Sequence, residues 1–375
     1  MKLLFVGTNP ENTGAATHFV ALAKAMSEAG HQVEGIVSRR GLIGEGLEAA
    51  HIPIHYSSFR NVYDLRGYTA VLTRVSKFAP HWLVGNFGKE YWPLIACSRL
   101  THTPVALFRH RTPRMSKVSE YGIPRLAQCF IAVSEYARNA YLTWGVPPDR
   151  VHISYNPVDT AQFHPDAPCR AAMRLDLGID ENAIVLGYMG RMHGSKGIFT
   201  LMQAANEAMA RNDRLHLLWV GDGPEKQALQ EMAIQGGLSA RHHFTGWVTD
   251  TERYYCALSF LAFPSIAPET FGRVAIEAQA CGLPVLGSRV GGIPEALEDN
   301  VTGYLLPPGD VAAWRDGILT LCHPEPCQTM GNAARAHAIE HFGNIAVARD
   351  FAQLLSNQSP HTSSTTATPH RGYAP

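Results

Sequence analysis

At 375 residues the chain is long enough for two domains. Its 32 basic residues balance 32 acidic ones, which excludes the basic excess of a duplex nucleic-acid binder. Seven scattered cysteines with no Cys-x-x-Cys point to free thiols in a reducing compartment, and the eighteen histidines are expected to build no zinc helix.

In chain order, short apolar runs alternate with helical patterns. Leu3–Val6, Val33–Val37, Trp82–Val84, Val105–Phe108, Phe130–Val133 and Val151–Ser154 read as strands, and Phe19, Leu22, Ala23 and Met26 recur at helical spacing between the first two. Such alternation predicts a parallel sheet covered on both faces. Pro157, Pro165 and Pro168 interrupt it, and a second series follows at Ile184–Tyr188, Leu215–Val220, His243–Thr245, Leu258–Phe263 and Pro284–Leu286. The expectation is an α/β protein of two Rossmann-like domains facing across a cleft, residues 1–160 and 161–342. A helix at 343–356 and a disordered tail at 357–375 would follow. The first apolar run is too short for a signal-peptide core and no run approaches a membrane span, so a cytoplasmic protein is expected.

Several segments carry chemistry. Thr13-Gly14-Ala15-Ala16 follows the first strand and opens a helix, where Gly14 permits close approach of an anion. Arg109, Arg111, Arg114 and Lys117 form a basic cluster that would suit peripheral contact with an anionic membrane, or serve only as a solvated loop. In the second half, Gly190-Arg191-Met192-His193-Gly194-Ser195-Lys196-Gly197 leaves a strand with two cations before a helix, an arrangement that suits a diphosphate. Gly221-Asp222-Gly223-Pro224 reads as a structural turn. Trp247, in Gly246-Trp247-Val248, is either a flat wall for a base or core packing. Glu277 sits in a very apolar helix. A carboxylate buried there needs a hydrogen-bonding partner, while the plainer alternative is a surface pair with Arg273.

Taken in order, Gly190-Arg191 with Lys196-Gly197, Gly221-Asp222-Gly223-Pro224, Gly246-Trp247-Val248, Pro264-Ser265 with Glu269 and Glu277, and Gly291-Gly292-Ile293-Pro294-Glu295 resemble the retaining nucleotide-sugar glycosyltransferases of family 4, with the GT-B fold. Ile131-Ala132-Val133-Ser134-Glu135 and Ile153-Ser154-Tyr155-Asn156-Pro157-Val158-Asp159 are similar to that family's domain-closing segment.

The resemblance implies a donor such as a UDP- or GDP-sugar on the C-terminal domain and a glycan or lipid-linked acceptor against the N-terminal one. It implies no cofactor. Glu277 would accept from the ribose hydroxyls and Glu269 from the donor sugar. Backbone N–H groups near Thr270, Phe271 and Gly272 would meet the distal phosphate or sugar. Arg191 and Lys196 would neutralise the diphosphate, the Val248 backbone would meet the base, and His110 would face the donor sugar. No Asp-x-Asp occurs, so chemistry without a metal clamp is expected, in cell-envelope glycan or glycolipid synthesis. The usual second glycine and acidic residue are missing beside Gly14, which leaves acceptor contact there open. A sugar-nucleotide epimerase and a non-catalytic sugar-nucleotide binder are the rival readings.

Overall fold

The computed structural model describes residues 1–358 other than 12 and 40. Its first sheet has seven parallel strands: β1 (Lys2–Gly7), β2 (Gln32–Val37), β3 (Ile54–Tyr56), β4 (Trp82–Gly85), β5 (Val105–Arg109), β6 (Cys129–Ala132) and β7 (Val151–Ile153), in the order β3-β2-β1-β4-β5-β6-β7. The second has six: β8 (Ile184–Met189), β9 (Leu215–Val220), β10 (His242–Gly246), β11 (Phe260–Phe263), β12 (Val285–Ser288) and β13 (Gly303–Leu306), in the order β10-β9-β8-β11-β12-β13. The crossovers of the first sheet include α1 (Gly14–Glu28), α2 (Leu42–Ala49), α3 (Leu65–Phe78), α4 (Gly88–Thr101), α5 (Lys117–Leu126) and α6 (Glu135–Thr143). Those of the second are preceded by α7 (Ala167–Asp176) and include α8 (Ile198–Met209), α9 (Lys226–Gln235), α10 (Thr251–Ala257) and α11 (Arg273–Ala280). Helices α12 (Val311–Leu321), α13 (Pro324–His337) and α14 (Asn344–Asn357) complete the chain's described part.

Strands covered on both faces need apolar side chains on both, which is why they read as continuous hydrophobic runs. Every residue of β4, β6 and β11 is buried. The sequence reading passed over β3 and β13. Both are edge strands with mostly half-exposed side chains; β3 is three residues long and broken by His55, and β13 offers an apolar run of only three residues before Pro307 and Pro308.

In both sheets the order reverses beside the first strand, between β1 and β4 and between β8 and β11. Loops diverge at such a point and leave a crevice beyond the carboxyl ends of the strands. The two crevices face each other.

The chain returns to its first half at the end. Val158 N donates to Phe342 O at 2.7 Å. Helix α14 then packs on α1, with Asn344 Nδ2 donating to Glu28 Oε2 at 2.9 Å and the Phe351 ring 5.4 Å from that of Phe108. The last helix is thus a strap over the N-terminal half rather than an appendage of the C-terminal one. Asn357, expected in the tail, is its last residue, and residues 359–375 of that expected tail lie outside the described residues.

The expectation of no zinc-helix spacing fails at two pairs. His51 and His55 stand four apart, but across a turn and the start of β3 rather than on a helix. His337 and His341 stand four apart, with rings 4.8 Å apart, across the five-residue π-turn Ala338–Phe342. His337 Nδ1 lies 3.0 Å from Gln279 Oε1, and no three metal-ligating side chains gather among the described residues.

Candidate active site

A cavity of about 840 Å³ opens where the two crevices meet. The first half contributes Asn9, Glu11, Thr13 and Gly14 after β1, Asn86 and Lys89 after β4, and Arg109, His110 and Arg111 after β5. Across the gap, the second half contributes Gly190, Arg191 and Lys196 after β8, and Ser265, Glu269, Thr270, Phe271, Arg273 and Val274 after β11.

The loops of the second half are tightly interlocked. Gly197 adopts φ +68°, and a side chain there would begin 1.8 Å from the Pro264 carbonyl oxygen, so only glycine lets the two loops close on each other. The Ser195 carbonyl accepts from Ile266 N and Ala267 N at 3.1 and 3.0 Å. This clasp brings Lys196 Nζ to 2.5 Å from Glu269 Oε1, which also accepts from Ser265 Oγ at 2.7 Å. Arg191, by contrast, is exposed and makes no ion pair among the described residues.

Glu277 resolves differently from either sequence reading. It is buried, yet the Arg273 pair exists: Nη2 donates to Oε1 at 2.6 Å, while Oε2 accepts from the Tyr255 hydroxyl at 3.0 Å. Burial, and then the charge of Glu277, holds the Tyr255 hydroxyl well above its usual range, so it stays a donor. Arg273 reaches the cavity wall and Glu277 stands behind it. Three residues expected at the donor therefore lie outside the cavity lining: Glu277, Gly272 and Val248. Gly272 caps the start of α11 and packs with Ala296, and Val248 lies on the loop after β10. Trp247 is 72% exposed there, which rules out core packing.

Phe271 is buried between the Tyr155 and Phe342 rings, at 5.5 and 5.6 Å. Thr270 accepts at its carbonyl from Ser134 Oγ at 2.6 Å, a contact between the halves. A second such contact went unassigned in the sequence. Glu295 turns its carboxylate onto the N-terminus of α6, accepting from Glu135 N at 2.6 Å and Tyr136 N at 2.7 Å, with the Tyr155 hydroxyl at 3.2 Å. An acid against exposed helix N–H groups is the favourable polarity. Its only sequence signal was membership of the Gly-Gly-Ile-Pro-Glu segment.

On the other wall, Gly14 begins α1 with open space around its Cα, and Thr13 caps that helix by accepting from Ala16 N at 3.3 Å. His110 lies at the cavity, with Nε2 2.8 Å from Asn86 Oδ1. Burial, then the charge of Arg273, pushes its imidazole down to about 3, so it is neutral at ordinary pH. Beneath the β1 loop, the fully buried Glu90 accepts from Thr8 N and Thr8 Oγ1 at 2.6 and 2.7 Å.

The basic cluster divides. Arg109 donates to the Pro113 carbonyl and lies over the Trp144 ring, and Arg114 pairs with Glu120 at 2.8 Å. Arg111 and Lys117 are exposed without an ion pair among the described residues. Only half of the expected membrane-facing charge is therefore uncommitted.

Two doubly wound domains with cations and a carboxylate on one wall, and a neutral histidine and a glycine helix start on the other, define the GT-B class. Residues 183–323 match the family model described as glycosyl transferases group 1, and residues 12–162 match that of glycosyltransferase family 4. The D-inositol 3-phosphate glycosyltransferase of Kribbella flavida is 30% identical over 343 residues, 83% of this chain and 78% of the relative. That of Saccharomonospora viridis is 29% identical over 280 residues, 69% of this chain, and the match spans 64% of the relative. Among solved structures, the glycosyltransferase from Rickettsia africae ESF-5 superposes with TM-score 0.83 at 18% identity, covering 96% of this chain and 99% of the other. Anabaena Alr3699/HepE in complex with UDP gives TM-score 0.81 at 24% identity, covering 95% and 100%. The chain belongs to glycosyltransferase family 4.

Proposed function

We propose that the protein transfers a sugar, with retained anomeric configuration and without a metal clamp, from a UDP-sugar to an acceptor hydroxyl. The observation that carries this reading is one cavity wall that places Arg191, Lys196 and Arg273 beside the Glu269 carboxylate. Cleaving the sugar–phosphate bond leaves charge on the nucleoside diphosphate, and preorganised cations aimed at that charge are the largest catalytic lever available. Glu269 would hold sugar hydroxyls, and Lys196 would exchange its carboxylate partner for phosphate oxygen. The chain carries no Asp-x-Asp, so these cations take the place of a carboxylate-held ion. Uridine is favoured over guanosine because the Anabaena neighbour was solved with UDP.

The acceptor enters against Gly14, Lys89, Arg111 and His110. Arg111, which makes no ion pair among the described residues, and the N-terminal turn of α1 suit an anionic acceptor. The names of the relatives make inositol 3-phosphate the first acceptor to try, with an envelope glycan or glycolipid next. Closure of the cleft would exclude the water that otherwise hydrolyses the donor. Arg111 and Lys117, beside the exposed Val118 and Tyr121, support a peripheral contact with anionic lipid, which co-sedimentation with phosphatidylglycerol vesicles tests.

The deciding experiment mixes the protein with UDP-, GDP- and ADP-sugars in chelator, with and without inositol 3-phosphate. Acceptor-dependent release of UDP together with a glycosylated product supports the reading. Epimerised sugar nucleotide without release would make the protein an epimerase. Donor binding without turnover for any acceptor would make it a binder.

A further inference from the structure

Three elements converge behind His110. Asn86, at the end of β4, is 4% exposed, and its side-chain amide has one donor end and one acceptor end. The donor end is committed: Nδ2 lies 2.6 Å from the carbonyl oxygen of Ala15, in the first turn of α1. The acceptor end, Oδ1, then faces His110 Nε2 at 2.8 Å. Turning the amide over would set two oxygens against each other at the Ala15 contact, which a buried amide does not tolerate.

An oxygen that only accepts requires a proton on Nε2. A neutral imidazole carries one proton, so Nδ1 is left bare. The ring is held in place by its neighbours, with the His18 ring centroid 4.6 Å away and the Phe108 ring stacked at 6.2 Å. His18 has neither ring nitrogen hydrogen-bonded, so it does not compete for Nδ1. The charged groups that share its cavity are Arg109 and Arg111 on its own loop, Lys89 on α4, Glu11 after β1, and Arg191, Lys196, Glu269 and Arg273 across the gap. Burial first, and then the charge of Arg273, opposes a second proton on the imidazole.

We propose that Asn86 is a positioning residue that locks His110 in the Nε2–H tautomer, so that the histidine meets its ligand only as a hydrogen-bond acceptor at Nδ1. The group received at Nδ1 is a hydroxyl, on the transferred sugar or the acceptor, and not a phosphate oxygen, which has no proton to give. The inference rests on the proposed transfer for the identity of that hydroxyl, but the tautomer itself does not depend on it. It also ties the reacting histidine to α1, because the Ala15 carbonyl that orients the amide lies one residue after Gly14 on the acceptor wall.

The test is nitrogen-15 NMR of the full chain labelled at histidine, with the His110 signals assigned by their loss in His110→Gln. The expected result is a protonated Nε2 and a bare Nδ1, unchanged over about pH 6 to 8. A protonated Nδ1 with a bare Nε2 would overturn the proposal without any variant being made. Asn86→Leu should mix the two tautomers and lower kcat by roughly 10- to 100-fold while leaving donor KM nearly unchanged. An unmixed spectrum in that variant would equally overturn it. Asn86→Asp keeps an acceptor at Nε2 but loses the donor to the Ala15 carbonyl and sets an oxygen against it, so it should retain the tautomer at a cost in stability. Its charge should draw the imidazole upward, so that a new acid limb enters the pH profile. Absence of that limb counts against the proposal. A wild-type protein that turns over no donor would refute the transferase reading and leave the tautomer result standing.

Discussion

Lys196 Nζ lies 2.5 Å from Glu269 Oε1, so the cation expected at the diphosphate and the carboxylate expected at the sugar are partners of each other. On the proposed function, donor binding exchanges one ion pair for two new sets of contacts. Losing either group should lower kcat/KM by about 10²–10³. The two losses should not add: Lys196→Ala combined with Glu269→Ala should cost clearly less than the product of the single effects, because each single variant strands a charge. Steady-state release of nucleoside diphosphate measures all three.

Glu295 reaches from one half of the molecule to cap a helix in the other. Glu295→Ala removes the acceptor for two backbone N–H groups and should destabilise by about 1–3 kcal/mol. Glu295→Gln keeps one oxygen and loses the favourable charge at the helix end, a smaller cost of about 0.3–1 kcal/mol. Urea unfolding orders the two. If the contact also holds the halves together, the alanine variant will show the larger radius of gyration in solution scattering.

Buried titrating groups give stability a pH dependence with two opposite components. Burial raises Glu90 from the ordinary 4.5 to about 7 against the pull of the Thr8 hydrogen bonds. The folded chain then keeps a proton that the unfolded chain has released. This contribution is full below about 4.5 and is lost as pH rises through about 7, amounting to about 3 kcal/mol. Histidines act in the other sense. Burial lowers His110 to about 3 and His242 and His243 to about 4, so stability present above 6.5 is lost as pH falls below it. Comparison with Glu90→Gln isolates the first component. The variant should gain on the wild type by about 3 kcal/mol between about pH 5 and 8, measured by chemical unfolding at each pH.

Trp247 is exposed on the loop after β10 and supports no core. Trp247→Ala should leave stability within about 0.5 kcal/mol. If the ring stacks on the base, the same change should weaken UDP binding by about 1 kcal/mol or more. Quenching of tryptophan fluorescence by UDP in the wild type, and its loss in the variant, checks the stacking directly.

Much of the fold was legible because parallel strands buried on both faces leave unbroken apolar runs, as at Leu3–Val6 and Leu217–Val220. The short edge strands β3 and β13 leave at most three apolar residues in a row. Within the site, what could be read was local: Arg191 and Lys196 on one turn, Glu269 on another. What could not be read was every relationship that crosses the chain. The Lys196–Glu269 pair spans 73 residues, the Glu295 cap 160 and the Asn344–Glu28 contact of the returning helix 316. Arg273 shows the limit best. Its pairing with Glu277 follows from helical spacing, but only the packing of α11 reveals that the arginine lines the cavity while the glutamate is buried against Tyr255.

The central claim is that this wall grips a nucleoside diphosphate through side-chain cations. Calorimetric titration of UDP in the presence of chelator tests it most directly, comparing the wild type with Arg191→Ala combined with Lys196→Ala. The account predicts binding to the wild type without added metal and a loss of about 100-fold or more in the double variant. Equal affinity in the two proteins, or binding that appears only when a divalent ion is supplied, would contradict it.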